Sequence, residues 1–182
     1  PYVFSIIRSE LALRAYQIAD TYRQRGVKVV MGGIHPTILP GEALQHADAV
    51  VIGEAEEVWP KLLSDAASGE MQKVYCANKI SDLSRIPIPR RDLYPKAGNK
   101  GYTPLAFGIE TARGCPYDCE FCSIGSVMGR QYRSRPIPGV IAEIESINSP
   151  RLFLVDDTLA LNRPTAKKLF TEMISLRRKW VG

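Results

Sequence analysis

The stretch "ETARGCPYDCEFCSIG", residues 110–125, sets Cys115, Cys119 and Cys122 within eight positions and leaves Cys76 as the only other cysteine of the chain. A C-x3-C-x2-C spacing is too tight for ordinary disulfides among its members, and thiols clustered this way in a reducing compartment point to a metal. The preceding run "LAFGIETARG" (105–114) reads as a strand leading into the cysteine loop. On such a loop the three sulfurs converge without closing a long segment of chain.

Beyond the loop, "PGVIAEIESIN" (138–148) has the period of a helix, "RLFLVDD" (151–157) reads as a strand, and "RPTAKKLFTEMISLRRK" (163–179) as a helix with Leu169, Met173 and Leu176 on one face. Two β/α units follow from this, with "KWVG" (179–182) opening a third. On the other side, "RIPIPRRDLYPKAGNKGYTP" lies in a stretch, 78–104, dense in Pro, Gly and cations and without period, which reads as an inter-domain connection. Before it, "YVFSII" (2–7), "VKVVM" (27–31) and "ADAVVIG" (47–53) read as strands. Helices are expected over "LALRAYQIADTYRQRG", with Leu11, Ala15, Ile18, Ala19 and Tyr22 on one face, and over "EEVWPKLLSDAAS", where Pro60 is tolerable only in the first turn. Strands alternating with helices imply parallel sheets with helical crossovers, an α/β class.

The chain has 182 residues, 45% of them hydrophobic, and 24 basic residues against 19 acidic give a net charge of +5 scattered along its length. That composition supports a packed core and contains no block of charge. No apolar run reaches the roughly 18 residues of a membrane span and no signal peptide opens the sequence, so a cytoplasmic location is expected. Since the first residue is Pro1 and the last segment starts a new strand, the expectation is part of a longer protein, one that folds without turning over substrate.

Zinc in a structural site normally takes four protein ligands, often as two separated pairs, and no second pair is present. A cubane iron–sulfur cluster, in contrast, can be held by three thiolates with one iron left open. A zinc site completed by a histidine or Cys76, or three unrelated thiols, remain the alternatives. With Phe121 immediately before the last cysteine, "TARGCPYDCEFCS" resembles the cluster loop of radical S-adenosylmethionine (SAM) enzymes. The resemblance implies a [4Fe-4S] cluster on Cys115, Cys119 and Cys122, and SAM chelated at the open iron and reductively cleaved to a 5′-deoxyadenosyl radical. It places Phe121 beside the adenine and makes Asp156 and Asp157, at the end of "FLVDD", acceptors for SAM's amino group or ribose. A helix cap or solvated turn is the competing reading of those carboxylates. Arg130, Arg133 and Arg135 resemble a basic segment that meets SAM or the cluster, with a solvated loop as the alternative.

The first half resembles the later part of a cobalamin-binding domain, whose signature is D-x-H-x-x-G, S-x-L and G-G. Ser5–Ile7 and Gly32-Gly33 match the last two elements, Ile replacing Leu, and the histidine of the first would lie upstream of Pro1. Implied cobalamin contacts are therefore Ser5, Gly32 and Gly33. His35 lines the tail pocket or serves structure, the second being preferred; His46 is expected to face solvent; and Glu54, Glu56 and Glu57 crowd a helix N-terminus favoured by the helix dipole. The implied layout is a Rossmann-like cobalamin unit over 1–77, the connection 78–104, and a partial (β/α) barrel over 105–182.

The function this resemblance implies is a cobalamin-dependent radical SAM enzyme that transfers methyl to an unactivated carbon of a small-molecule or lipid-like substrate, with an external one-electron reductant. Oxidative ring closure is the nearest alternative. Methylthio transfer fits less well, because those enzymes carry further cysteines in an N-terminal domain. From another class, a metal-stabilised binding module for nucleic acid would want aromatics interleaved with the linker's cations, and the linker has few.

Overall fold

A computed structural model of the chain describes residues 2–6, 9–77, 82–93 and 106–182, so most of the expected connection 78–104 lies outside the described residues. The chain divides into two compact units, Pro1–Ile80 with Ser126–Met128, and Ser81–Gly125 with Gly129–Gly182.

In the first unit, strands β1 (Tyr2–Ile6), β2 (Lys28–Gly32), β3 (Ala49–Ile52) and β4 (Val74–Cys76) form one parallel sheet in that order. A 3-10 turn at Ser9–Leu11 opens helix α1 (Ala12–Gln24); α2 (Ile34–Ile38) and α3 (Pro40–His46) join β2 to β3, and α4 (Trp59–Ser68) joins β3 to β4. Val29 and Met31 face one buried cluster with Ala12, Tyr16, Ala19 and Val50, while Val30 faces a second with Val51, Leu62 and Tyr75. A strand buried on both faces needs the unbroken apolar run that "VVM" supplies. Fully buried Met31 and Leu62 each contribute about 1.5–3 kcal/mol. Helix α4 has Pro60 in its first turn, as the sequence requires, and ends at left-handed Gly69, whose N–H reaches Ala66 O.

The face of α1 differs from expectation. Ala12, Tyr16 and Ala19 are buried, whereas Leu11 is 60% and Ile18 40% exposed. The helix is turned so that the small alanines lie against the sheet and the Tyr16 hydroxyl meets polar partners. Strand β4, short and bounded by polar residues, was not anticipated.

In the second unit, β5 (Phe107–Ile109), β8 (Arg151–Leu154) and β9 (Lys179–Val181) form a parallel sheet in the order β5-β8-β9, with Ile109 opposite Leu154. Between β5 and β8 lie β6 (Ala112–Arg113), α5 (Ile124–Val127), β7 (Arg133–Ser134) and α6 (Ile137–Ser146); α7 (Arg163–Ile174) joins β8 to β9. Ile109, Val140, Ile144, Leu152, Leu154, Leu169 and Met173 make the core, with Leu176 partly buried against it. Asn162 caps α7 by accepting from Thr165 N at 3.2 Å.

The single strand expected over 105–114 is two. The chain leaves the parallel sheet after Ile109 and pairs again as β6, antiparallel to β7. The cause is a carboxylate: Asp156 accepts the N–H of Thr111 at 2.5 Å and of Ala112 at 3.2 Å, drawing these groups out of the ladder. No helix is long and apolar enough to cross a membrane, among the described residues.

Candidate functional site

Two loops leave the carboxyl ends of the adjacent parallel strands β5 and β8, the edge where α/β folds build their sites. The first carries the cysteines. Gly114 turns it with φ +81°, and an added Cβ would collide with Gln131 O and stand 3.0 Å from Gly129 O. Cys115 N–H donates to Gly129 O at 3.2 Å, which ties the start of the loop, and Cys122 N–H donates to Cys119 O at 3.0 Å, which closes a local turn within it. Cys115 is half-buried, Cys119 and Cys122 are exposed, and all four cysteines of the chain are free thiols. Phe121 stands 93% exposed beside them.

The second loop carries Asp156, Asp157 and Thr158. Both oxygens of Asp156 are engaged, one by the backbone N–H groups of Thr111 and Ala112 and the other by the Thr111 hydroxyl. Its carboxylate therefore fixes the root of the cysteine loop. Asp157 is placed differently: it stands at the surface with no side-chain hydrogen bond among the described residues. Desolvation, and then the charge of Asp156, push its carboxyl above the ordinary range. Half-buried Tyr132 is raised by burial and then by the same charge. Thr158 brings the two loops together, its Oγ1 lying 3.8 Å from Cys115 Sγ.

The three arginines after the loop separate. Arg130 pairs with Asp118 at 2.5 Å in solvent, and Arg133 is buried. Arg135 is buried too, donating to Glu110 O at 2.8 Å and pairing with Glu143 at 2.6 Å. Glu143, 2% exposed on its side chain, also pairs with Arg91 at 2.5 Å, and Arg91 donates to Gly108 O at 2.8 Å. One buried carboxylate between two guanidiniums thus grips the backbone on either side of Ile109. Of the basic segment, Arg135 is committed to this grip and Arg130 to a surface pair.

In the first unit, β1 and β2 bring two expected residues to one sheet edge, since Ser5 is opposite Met31 and Gly32 is opposite Ile6. Gly33 follows with φ 100° and ψ −168°, a conformation essentially confined to glycine. His35 is buried, with Nδ1 3.3 Å from Ser9 Oγ and Nε2 2.9 Å from Tyr16 Oη and 3.2 Å from Glu42. This is the structural role preferred for it. Burial, and then Glu42, push the Tyr16 phenol up to about 12, while hydrogen bonds from Tyr16 and then His35 hold Glu42 below the usual carboxylate range. His46 does not simply face solvent: it stacks on Tyr16 at 4.3 Å between ring centroids and pairs with Asp20 at 2.9 Å. An aromatic neighbour one helix away decides this, and no local period announces it. Glu54 is buried ahead of the 3-10 turn Ala55–Glu57, and α4 starts without a side-chain cap.

Thr158, Thr111, Glu143 and Arg91 escaped the sequence reading. Only Glu143 carried a signal, a lone acid in the apolar i, i+3, i+4 row with Val140 and Ile144.

No protein-family profile matches the chain. Two curated relatives from Chlorobaculum tepidum do. A bacteriochlorophyllide d C-8(2)-methyltransferase is 32% identical over 179 residues, 91% of this chain and 39% of the relative. A bacteriochlorophyllide d C-12(1)-methyltransferase is 31% identical over 176 residues, 93% of this chain and 38% of the relative. The chain thus spans about two fifths of the length of these relatives. Among solved structures, the radical SAM methyltransferase TsrM from Kitasatospora setae, with cobalamin and a [4Fe-4S] cluster bound, superimposes with a TM-score of 0.73 at 18% identity, over 97% of this chain and 41% of that one. That likeness bears on fold, and the sequence relatives on kinship. In sequence the chain is similar to these two methyltransferases over nearly its whole length, and in fold to the matched part of TsrM.

Proposed function

We propose that this chain is the cofactor-binding portion of a cobalamin-dependent radical SAM methyltransferase acting on an unactivated carbon of a small-molecule or lipid-like substrate. The observation that carries the reading is the set of three free thiols on one exposed loop, at the carboxyl edge of a parallel β/α sheet. The donor set suits a cluster. Soft thiolates select iron–sulfur clusters or zinc, and zinc's usual fourth ligand is missing from this loop.

Cys115, Cys119 and Cys122 would hold the [4Fe-4S] cluster, and Phe121 and Asp157 would meet SAM. When bound, the cluster supplies the electron that cleaves SAM, and cobalamin supplies a carrier for the methyl group. This chain's part is placement. Gly114 turns the loop, Asp156 and the Arg91–Glu143–Arg135 group fix its root, and Phe121 offers an exposed ring for an adenine to pack on. Asp157, exposed just past the carboxyl end of β8, is suited to accept a hydrogen bond from a cationic amino group or a ribose hydroxyl. Ser5, Gly32 and Gly33, at one sheet edge of the first unit, would receive cobalamin, the glycines letting it approach the backbone. An external one-electron donor completes the proposal.

Anaerobic reconstitution with iron and sulfide tests it. The expected result is about four irons and four sulfides per chain, with an EPR signal on reduction that SAM perturbs. Stoichiometric zinc with indifference to SAM would defeat it.

A further inference from the structure

Thr158, which joins the two loops, sets its hydroxyl 3.8 Å from Cys115 Sγ, within hydrogen-bonding reach for sulfur. While Cys115 is a thiol, either atom can donate. A metal-bound thiolate has no proton, so loading the site leaves the threonine hydroxyl as the sole donor. The backbone that carries each partner is anchored nearby. Two residues upstream, Asp156 is locked to Thr111 and Ala112, and Cys115 follows Gly114, whose backbone is boxed in by Gln131 and Gly129.

We infer that Thr158 is a tuning residue, donating an O–H···S hydrogen bond to the cluster-bound Cys115 thiolate and making the cluster easier to reduce. This rests on the proposed cluster. Hydrogen bonds to the sulfurs are among the determinants of an iron–sulfur potential. One electron entering from an external donor adds one negative charge, spread partly onto the thiolates. A donor aimed at a thiolate stabilises the reduced form more than the oxidised form, and so raises the potential.

The test is a dye-mediated redox titration of the reconstituted chain, read by EPR, on wild type, Thr158→Val and Thr158→Ser. Valine keeps the branched shape and removes the donor; serine keeps the donor. The expected result is a midpoint moved to more negative potential in the valine variant and restored toward wild type in the serine variant, with iron and sulfide content equal in all three. A loaded valine variant with an unmoved midpoint overturns the inference and leaves the cluster standing. A valine variant that loses iron while serine keeps it also overturns it, because the hydroxyl would then be needed for assembly and not for tuning. A wild-type chain that takes up no iron removes both the cluster and the inference.

Discussion

At the scale of single residues, the cysteine loop depends most on one that carries no side chain. Gly114 adopts φ +81°, and a Cβ there would run into Gln131 O and crowd Gly129 O. Strain of that kind costs roughly 1–3 kcal/mol, and the obstructing atoms are backbone carbonyls that cannot swing aside. Those carbonyls belong to the turn that also receives Cys115 N–H. Gly114→Ala is therefore expected to lower the thermal midpoint and to reduce iron uptake on reconstitution. Gly139 supplies the control, lying inside α6 with open space where a Cβ would point. Gly139→Ala should stabilise by about 0.5–1 kcal/mol and leave iron content unchanged. Equal behaviour of the two variants in calorimetry and iron assay would contradict the assignment of Gly114 as the hinge of the loop.

At the scale of elements, Asp48 shows how a loop carboxylate registers one strand against its neighbours. It accepts Val29 N–H at 2.9 Å and Lys28 Nζ at 3.0 Å, lies 3.5 Å from Arg23, and gives its own N–H to Val29 O at 2.8 Å. Helix α1, the start of β2 and the entry to β3 meet at this side chain. Desolvation raises its carboxyl, but Val29 N–H and Lys28 outweigh that and hold it below the ordinary range. A carboxyl depressed from an unfolded value of about 3.9 stabilises in full above that pH. The contribution fades as pH falls through the lower folded value. Asp48→Asn should be about 1.5 kcal/mol less stable near neutral pH, and its thermal midpoint should converge on that of wild type once the pH has fallen through the depressed folded value of the carboxyl. Parallel melting curves across the acid range would refute this. At the same scale, the alternation of strands and helices was legible because apolar runs such as "VVM" and "AVVI" are buried on both faces and stand out between polar turns. The buried face of α1 was not, since Tyr16 reads as an ordinary aromatic until His35, His46 and Glu42 arrive from α2 and α3. The break between β5 and β6 was equally hidden, as its cause, Asp156, comes 45 residues after Thr111. In the site, the cysteines announced themselves by spacing, while Thr158 and the Arg91–Glu143–Arg135 group became visible only once distant segments were brought together.

At the scale of the whole molecule, the chain carries two compact units, each with its own parallel sheet and core. The proposed ligands divide between them: Cys115, Cys119 and Cys122 belong to the second unit, while Ser5, Gly32 and Gly33 belong to the first. Because each core is made within its own unit, damage to one ligand set should not propagate to the other. The triple substitution Cys115→Ser, Cys119→Ser, Cys122→Ser replaces half-buried and exposed side chains with others of similar size, so both folds should persist. Its iron content is expected to fall to background while its hydroxocobalamin titration stays unchanged. Gly33→Val should do the reverse. A β-branched residue is poorly tolerated at φ 100°, ψ −168°, and cobalamin binding should weaken about tenfold, equivalent to about 1.4 kcal/mol, with iron and sulfide retained. Loss of cobalamin binding in the cysteine variant, measured by the shift of the cobalamin absorption spectrum, would show that the two ligand sets are not independent.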